Sequence, residues 1–292
     1  MSIERVAVLG GGLMGSGIAE STALAGLDVV VRDIDEAAFE AARGRIETSL
    51  GRAVERGKVD KDEAAQVLNR IAYTDSLADL ADADLVIEAV PENAELKANI
   101  LGQVAGIVSE DALIASNTSS IPIAQLAAGL PRPERVLGLH FFSPVPVMRL
   151  VEIVLALDTS EATATAAQDF AARIGKRAIA TKDRSGFIVN MLLVPYLMAA
   201  VRMYEEGFAS AEDIDEGMKL GCGHPMGPLT LCDMIGLDVL YSVCDSLYEE
   251  FKEPGYAPPP LMKRMVASGR IGRKAGRGFY DYGREREAAA AR

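Results

Sequence analysis

The feature that most constrains this chain is a glycine pattern near its start. Gly10, Gly12 and Gly15 follow a β-rich run and precede an apolar stretch, residues 14–25, with the composition of a helix. In a strand–turn–helix unit, Gly10 permits the tight turn, Gly12 lets the backbone approach a pyrophosphate, and Gly15 lets the helix pack on the strand. The N–H groups at the helix start then face the phosphates. The pattern therefore predicts a dinucleotide-binding fold of the Rossmann type.

The second strand of this unit is predicted to end at Asp33, at the spacing expected for a carboxylate that hydrogen-bonds a ribose. A carboxylate here repels the 2′-phosphate of NADP, which favours NAD. Arg32 stands beside it and leaves NADP open as an alternative. Leu13 and Met14 lie inside the same glycine turn. We therefore expect NAD to bind at this turn and at Asp33.

The size and charge of the chain limit its partners. With 292 residues, of which 49% are hydrophobic, it is long enough for two domains with buried cores. Its formal net charge of −12 argues against a polyanionic partner such as nucleic acid. An anionic ligand must therefore be held by local donors rather than by the overall field.

The cysteines, the first residues and the most apolar stretch of the chain indicate the cellular compartment of the protein. Cys222, Cys232 and Cys244 form no CxxC pair and have no histidine at zinc-ligand spacing, so we expect no metal site and a reducing, cytoplasmic setting. A strand is predicted to begin by Ile3, which leaves no room for a targeting peptide. The most apolar stretch, residues 187–201, is shorter than the roughly 20 residues of a membrane helix, and we expect a buried helix there.

Two apolar strand candidates, residues 135–140 and 149–157, flank a turn with two prolines, whose fixed φ and missing donors punctuate the strands. If these strands pair antiparallel, His140 and Glu152 come side by side, roughly 5 Å apart. An imidazole beside a carboxylate is a general base with its orienting partner. A hydrogen-bonded core histidine explains the same stretch, and the stretch alone leaves both interpretations open.

Polar residues follow two further strand candidates. Glu92 comes after the apolar run 82–90, and Ser119 follows the apolar run 112–116. Because ligands of open α/β sheets bind beyond the carboxyl ends of the strands, Glu92, the nearby Lys97 and Ser119 are candidate ligand contacts. A helix cap at Glu92, an exposed Lys97 and a turn at Ser119 explain these residues equally well.

The character of the sequence changes after residue 180, where apolar helical runs replace the alternation of strands and helices. We therefore divide the chain into residues 1–183, an α/β Rossmann-type domain with a mostly parallel sheet, and residues 184–292, an all-helical domain. Pro195 is expected to kink the first of these helices, and the residues alone favour a buried, satisfied amide for Asn190. Several Met and Leu side chains are expected in the core or a subunit interface rather than in a substrate channel, among them Met191, Leu192, Met198 and Met234.

Several separated motifs in order resemble one family. They are the glycine turn, SNTSS at 116–120, HFFSPVPVMRLVE at 140–152, DRSGFIVNMLLVPYL from Asp183, GHPMGPLTLCDMIGLD at 223–238 and GRKAGRGFYDY at 272–282. Together they resemble the short-chain L-3-hydroxyacyl-CoA dehydrogenase family, which includes bacterial 3-hydroxybutyryl-CoA dehydrogenases, along essentially the whole chain. The resemblance implies an NAD-dependent oxidoreductase of fatty acid metabolism. It also implies reversible oxidation of a short-chain L-3-hydroxyacyl-CoA and a homodimer formed through the C-terminal domain.

The resemblance also implies roles for individual residues. His140 and Glu152 would form the catalytic pair, with Ser119 and Asn190 as polar partners of the substrate. The implied NAD contacts are Gly10, Gly12, Leu13, Met14, Gly15, Asp33, Glu92, Lys97, Ser119, Ser143 and Lys274. The implied coenzyme A contacts are Ser49 and Arg56, on a helix predicted over residues 36–56, together with Ser119 and Asn190.

The chain departs from the family pattern at two of these positions. Arg56 stands where relatives often have lysine, which keeps the charge and changes the donor geometry. Ser143 stands where relatives usually have asparagine, and it is shorter and lacks an amide. His224, in a glycine-rich loop where relatives commonly have another residue, is interpreted as structural.

Two other functions remain open. A related dehydrogenase of a free hydroxy acid, of the gulonate or carnitine type, shares the glycine turn and the HFFxP motif without needing coenzyme A. A non-catalytic NAD-binding homologue is also compatible with the fold. The intact set of Ser119, His140, Glu152 and Asn190 argues against that second alternative.

Overall fold

The computed structural model describes residues 2–283. The chain forms two compact units that divide between Phe187 and Ile188, a few residues beyond the predicted division at 183/184. The backbone turns at this point, since Gly186 and Phe187 both have positive φ, of 79° and 48°. The apolar helix predicted from residue 187 therefore begins only at Val189. Within the described residues, no helix is both long and apolar enough to cross a membrane.

The first unit alternates strands with helices. Its strands are β1 (Arg5–Leu9), β2 (Asp28–Arg32), β3 (Ile71–Thr74), β4 (Leu85–Glu88), β5 (Leu113–Ser116), β6 (Val136–Phe141), β7 (Leu150–Leu155) and β8 (Arg177–Lys182). Its helices are α1 (Leu13–Leu24), α2 (Glu36–Glu55), α3 (Lys61–Asn69), α4 (Ala94–Ala105), α5 (Ile123–Ala127) and α6 (Glu161–Arg173).

All eight strands form one sheet, in the order β3-β2-β1-β4-β5-β6-β7-β8. Every neighbouring pair is parallel except β6 and β7, which are antiparallel. The predicted Rossmann-type, mostly parallel sheet is therefore confirmed. The carboxyl ends of β1, β2, β4 and β5 share one edge, which is where ligands of such sheets bind.

The continuous apolar runs of the strands follow from burial on both faces. In β1, Val6 and Val8 pack into one core and Ala7 and Leu9 into the other, as the two-residue period of a strand requires. Burying a Val or Leu side chain contributes about 1.5–3 kcal/mol. These two cores fix the strand register, and so the positions of the residues that follow each strand.

The turn between β6 and β7 is held from two sides. Lys176, just before β8, donates from Nζ to the carbonyl oxygens of Met148, at 2.8 Å, and of Val145. On α1, a Cβ at Gly17 would lie 2.9 Å from Cβ of Val145. Only glycine therefore lets the turn pack this closely on α1.

The second unit is helical, as predicted. Its helices are α7 (Val189–Glu205), α8 (Ala211–Cys222), α9 (Pro228–Ile235), α10 (Leu237–Phe251) and α11 (Pro260–Ala267). They enclose a separate core that contains Leu197, Met198 and Leu237. Helix α7 continues through Pro195. Leu192, on the same helix, is 74% exposed, so this helix is only partly buried within its own unit.

Two buried carboxylates join the segment after α11 to helices α8 and α9. Asp233 accepts from the N–H groups of Phe279 and Tyr280, at 2.9 and 3.0 Å, and from the hydroxyl of Tyr282 at 3.1 Å. Asp215 accepts from the Tyr280 hydroxyl at 3.0 Å. Burial raises the pKa of Asp233, although these donors oppose the rise. The segment is thus fixed by side chains of the helices rather than by a sheet.

Candidate active site

The glycine turn between β1 and α1 forms a cradle for an anion. Gly10 has φ of 93°, and a Cβ there would lie 2.8 Å from the carbonyl oxygen of Ala89. A Cβ on Gly15 would lie 1.8 Å from the carbonyl oxygen of Gly10, so only glycine lets α1 begin this close to β1. Gly12 caps α1 without a side-chain hydrogen bond, and a Cβ there would meet nothing within 4 Å. The start of α1 therefore offers N–H groups and open space to a phosphate.

Asp33 follows β2 directly beside this cradle. Its Oδ2 accepts a hydrogen bond from the N–H of Gly11 at 2.7 Å, and its Oδ1 accepts one from the N–H of Ile34 at 2.8 Å. The N–H of Gly10 donates to the carbonyl oxygen of Arg32 at 2.8 Å, which ties the turn to β2. The predicted glycine turn and the predicted acid thus share one edge of the sheet.

These features fit NAD. The open space before Gly12 and the uncapped start of α1 suit a pyrophosphate, and Asp33 suits the adenosine ribose. Leu13, which is 69% exposed, and the half-buried Met14 flank this space. Among the described residues, no group of three or more His, Cys, Asp or Glu side chains is arranged to hold a metal ion.

Behind the adjoining strand end lies a buried ion pair that the sequence did not reveal. Lys97 in α4 is 1% exposed, and its Nζ lies 2.7 Å from Oε1 of Glu88, 3.1 Å from the carbonyl oxygen of Val90 and 3.2 Å from Oε2 of Glu92. The alternative of an exposed Lys97 is therefore wrong, and the helix cap is Asn93 rather than Glu92. The ammonium of Lys97 is enclosed by these acceptors and holds Glu92, and the NAD contact that the resemblance implies for Lys97 stays a prediction.

Glu92 in turn holds the loop after β5. Its Oε1 accepts from the hydroxyl of Thr118 at 2.5 Å and from the N–H of Ser119 at 3.1 Å. Burial by itself raises the pKa of Glu92, but the Lys97 ammonium and the Thr118 hydroxyl outweigh it, so that the pKa lies below its usual value. Ser116, at the end of β5, donates to Oε2 of Glu88 at 2.5 Å. Ser119 is therefore fixed through its backbone at the same sheet edge as the cradle.

The antiparallel pairing predicted for the proline-containing hairpin is present, with His140 opposite Glu152. Nδ1 of His140 lies 2.6 Å from Oε2 of Glu152, and the two side chains are 7% and 0% exposed. The rings of Phe142 and Phe187 lie 4.5 and 5.4 Å from the imidazole centroid. This arrangement fixes the ring and leaves Nε2 as the nitrogen that can exchange a proton with a ligand.

A groove of about 950 Å³ runs between α1, α2 and the turn after β6. It contains four residues that the family resemblance pointed to, namely Leu13, Ser49, Arg56 and Ser143. Four cationic side chains line it, and these are Arg45, Arg52, Arg56 and Lys58. Local cations of this kind suit a phosphorylated ligand despite the acidic composition of the whole chain.

The groove also contains Glu20, which sequence reasoning missed. Its side chain is 3% exposed, and its Oε1 accepts a hydrogen bond from Ser49 Oγ at 2.9 Å. Glu20 is the one acidic residue of the otherwise uncharged helix α1. That exception in an apolar helix is the sequence signal that could have identified it.

The remaining candidates belong to the second unit. Asn190 is half-buried at the second position of α7. Lys274 Nζ donates to Oδ2 of Asp238 at 2.7 Å. Nδ1 of His224 lies 3.1 Å from the hydroxyl of Tyr196, with the two rings in an edge-on contact. The contact of His224 with Tyr196 agrees with its interpretation as a structural residue.

A mostly parallel sheet with a glycine cradle, a carboxylate beside it and a histidine–glutamate pair is the arrangement expected of a nicotinamide-dependent dehydrogenase. Residues 5–184 match the NAD binding domain of 3-hydroxyacyl-CoA dehydrogenase, and residues 186–282 match the C-terminal domain of the same enzyme. The chain belongs to the 3-hydroxyacyl-CoA dehydrogenase family. It is an oxidoreductase, and its first unit is the NAD-binding domain.

Individual relatives are similar over nearly their whole length. The chain is 52% identical over 283 residues to the 3-hydroxybutyryl-CoA dehydrogenase of Mycobacterium tuberculosis, covering 96% of this chain and 99% of that protein. The crystal structure of M. tuberculosis FadB2 superposes with a TM-score of 0.95 at 52% identity, covering 97% of this chain and 100% of that one. The (S)-3-hydroxybutyryl-CoA dehydrogenase PaaH1 of Ralstonia eutropha superposes with a TM-score of 0.91 at 48% identity, covering 96% and 99%.

Proposed function

We propose that this protein catalyses the reversible oxidation of the 3-hydroxyl group of a short-chain L-3-hydroxyacyl-CoA, and that 3-hydroxybutyryl-CoA is its substrate. The names of two similar proteins, from M. tuberculosis and R. eutropha, support that substrate. The observation that carries the proposal is the 2.6 Å contact of His140 with Glu152, in the same sheet as the glycine cradle. A histidine that is oriented by a carboxylate suits the removal of a hydroxyl proton.

In the proposed mechanism, Nε2 of His140 takes the proton of the 3-hydroxyl group. Glu152 accepts the hydrogen bond of Nδ1, holds the ring orientation and stabilises the imidazolium that forms. When bound, NAD supplies the acceptor for the hydride from C3. In the direction of ketone reduction, the same Nε2 donates the proton back to the oxygen.

Other residues position the substrate in this proposal. Ser119 and Asn190 donate hydrogen bonds toward the C3 oxygen or the thioester carbonyl, which aids both orientation and charge stabilisation. Ser49 and Arg56 contact coenzyme A, and the cationic groove around them supports this role. The phosphates of coenzyme A are the chemistry that such a groove recognises.

The remaining residues contact the cofactor in this proposal. The glycine turn, with Leu13 and Met14, binds the pyrophosphate, and Asp33 binds the ribose. Glu92, Ser119 and Ser143 are assigned to the nicotinamide end, and Lys274 is a further NAD contact. The exposure of Ser143 and its position in the turn after β6 support its part in this set.

The function is tested by mixing the purified protein with NADH and acetoacetyl-CoA and following the loss of NADH absorbance. We expect rapid oxidation of NADH with the thioester and little with free acetoacetate, since the free acid lacks the part that the cationic groove binds. Equal rates with the two substrates would favour a dehydrogenase of free hydroxy acids. No oxidation with either would favour a non-catalytic NAD-binding protein.

We further propose that the enzyme is a cytoplasmic homodimer of fatty acid metabolism that associates through its second unit. Exposed apolar side chains of that unit support the association, among them Leu192 at 74%, Phe208 at 78% and Leu220 at 81% exposure. The reduced state of Cys222, Cys232 and Cys244 is compatible with a cytoplasmic setting.

A further inference from the structure

The proposed mechanism leaves one buried acid of the first unit without a role. Glu20 is 3% exposed, yet it contributes to the wall of the cationic groove between α1 and α2. Its Oε1 accepts the hydrogen bond of Ser49, whose side chain is half-buried and lines the same groove. A carboxylate beside the site for a phosphorylated ligand would repel it. Glu20 therefore needs an explanation beyond packing.

The charged groups around the groove come from two directions, and of these only the Lys176 ammonium contributes to the pKa of Glu20. From α2 and the residues after it, the groove receives the four cations named above. From the segment before β8, the Lys176 ammonium acts on Glu20 through space, while its Nζ is held by the carbonyl oxygens of Val145 and Met148. Helix α1 has no other ionisable side chain, and neither does the turn at residues 142–148. The charged residues of α3, which are Lys61, Asp62 and Glu63, lie in its first turn and do not line the groove.

The environment of Glu20 brings the pKa of its carboxyl group close to neutral pH. Burial raises its pKa to about 7, even though the Ser49 hydrogen bond and the Lys176 charge both act to lower it. Burial likewise lowers the pKa of Lys176, and the charge of Glu20 opposes that change. At neutral pH the carboxyl group is thus present in both forms.

The protonation state of Glu20 decides which way the Ser49 hydroxyl proton points. A serine hydroxyl has one proton to donate and lone pairs to accept. When Glu20 is ionised, it accepts that proton, and Ser49 presents only lone pairs to the groove. When Glu20 is protonated, it can donate to Ser49, and the hydroxyl proton is then free to bond an anionic oxygen.

We propose that Glu20 is a positioning residue for the acyl-CoA substrate, which acts by setting the direction of the Ser49 hydroxyl proton, and that a phosphoryl group of coenzyme A binds with Glu20 protonated. The inference rests on the proposed function, because it takes coenzyme A as the occupant of the groove. Binding of the phosphoryl group then raises the fraction of Glu20 that is protonated, so that a fraction of a proton is taken up near neutral pH.

The direction of the pH dependence follows from this linkage. The bound anion stabilises the protonated carboxyl, so the pKa of Glu20 in the complex lies above its value of about 7 in the free enzyme. The affinity for coenzyme A is highest at pH values below the pKa of Glu20 in the free enzyme. It falls as the pH rises between that pKa and the pKa in the complex, and it is constant again at higher pH. If binding raises the pKa of Glu20 by one unit, the affinity at high pH is about tenfold lower than at low pH.

The test measures the dissociation constant of coenzyme A itself by titration calorimetry, for the wild type and for Glu20→Gln, with no turnover involved. The amide of Glu20→Gln cannot ionise, so its affinity lacks this pH dependence. We therefore expect the dissociation constant of the wild type, divided by that of Glu20→Gln, to rise from about one near pH 6 to about ten near pH 8.5. Taking this ratio cancels the titration of the ligand phosphates. Repeating the titration near pH 7.5 in two buffers of different ionisation enthalpy should detect a net uptake of about half a proton by the wild type that Glu20→Gln lacks.

Ser49→Ala provides the second variant, and it keeps Glu20. Because the hydroxyl is the intermediary, we expect Ser49→Ala to lose most of the proton uptake and most of the pH dependence. Full retention of both would overturn the inference even if Glu20→Gln failed to fold. A constant ratio between wild type and Glu20→Gln would overturn it as well. An absence of coenzyme A binding at every pH would also overturn it, and the acetoacetyl-CoA assay then shows whether the proposed function fails too.

Discussion

The chemistry of His140 is limited by the hydrogen bond that it already makes. Glu152 occupies Nδ1 at 2.6 Å in a site where both side chains are nearly enclosed. A carboxylate that binds one ring nitrogen fixes the tautomer, so the other nitrogen is the one that can act on a substrate. The rings of Phe142 and Phe187 further limit the rotation of the imidazole. In the proposed mechanism, the pair therefore supplies a base of fixed direction.

His140→Ala and Glu152→Gln should each lower turnover by roughly 10²–10⁴-fold, because one removes the base and the other its charged partner. The glycine cradle is unchanged in both variants, so NADH should bind almost as in the wild type, which fluorescence titration measures. His224→Ala is the matched control, since it removes the other histidine of the chain. Near-normal turnover of His140→Ala would refute the assignment.

Asp33→Asn should shift the preference from NAD towards NADP. The amide oxygen of asparagine can still accept the hydrogen bond from Gly11, while the negative charge that repels a 2′-phosphate is lost. The ratio of kcat/KM for NADH and NADPH measures the shift. Asp35→Asn, two residues along, is the control, because either side chain can cap α2. An unchanged ratio in Asp33→Asn would show that Asp33 does not contact the ribose.

Among the elements, α4 is unusual in burying a lysine against the end of a neighbouring strand. Lys97 and Glu88 are 1% and 0% exposed, and together with Glu92 they hold the loop of Ser119. The attraction within such a pair is offset by the cost of removing both charges from water. We therefore assign the Lys97–Glu88 pair a role in positioning the loop of Ser119 rather than in the net stability of the fold.

Lys97→Met should lower the free energy of unfolding by about 3–5 kcal/mol, because it leaves Glu88 buried beside no cation. Urea denaturation measures the loss. Lys219→Met removes a partner of the exposed pair with Glu216 and should cost less than about 1 kcal/mol. Similar losses in the two variants would contradict the distinction between buried and exposed pairs.

Much of the fold is readable from local sequence because the glycine turn and the proline-containing hairpin each constrain their own neighbourhood. The pairing of His140 with Glu152 follows from the period of a strand and one turn. The burial of Lys97 is different, because it depends on Glu88 from another element and on what covers both. Glu20 presents the same difficulty, since only the packing of α1 against α2 shows that it reaches the groove.

At the scale of the whole molecule, the two units have separate cores and different surfaces. The second unit exposes Leu192 on α7, Leu220 on α8 and Phe208 between these helices, whereas other residues of α7 and α8 contribute to its core. Exposed apolar side chains of this size are typical of association surfaces. Leu192 was predicted to lie in the core or a subunit interface rather than in a substrate channel. Its exposure excludes the core of its own unit, and the interface stays a prediction.

Leu192→Asp combined with Leu220→Asp should convert the proposed dimer into a monomer, because a charge buried without a partner opposes association. Sedimentation equilibrium measures the mass. Leu157→Asp is the control, since Leu157 is 90% exposed on the first unit. A monomeric wild type, or a dimer that survives the double substitution, would contradict the proposed interface.

The anchoring of Tyr280 and Tyr282 to Asp215 and Asp233 has a practical consequence. Chain ends can usually be trimmed or cleaved at little cost. Here, a chain cut after Gly278 would lose three donors to Asp233, which is fully buried, and one donor to Asp215. A shortened protein of that kind should be insoluble or readily degraded. Resistance of the Phe279 region to proteases can therefore serve as a simple readout of whether the helical unit is intact.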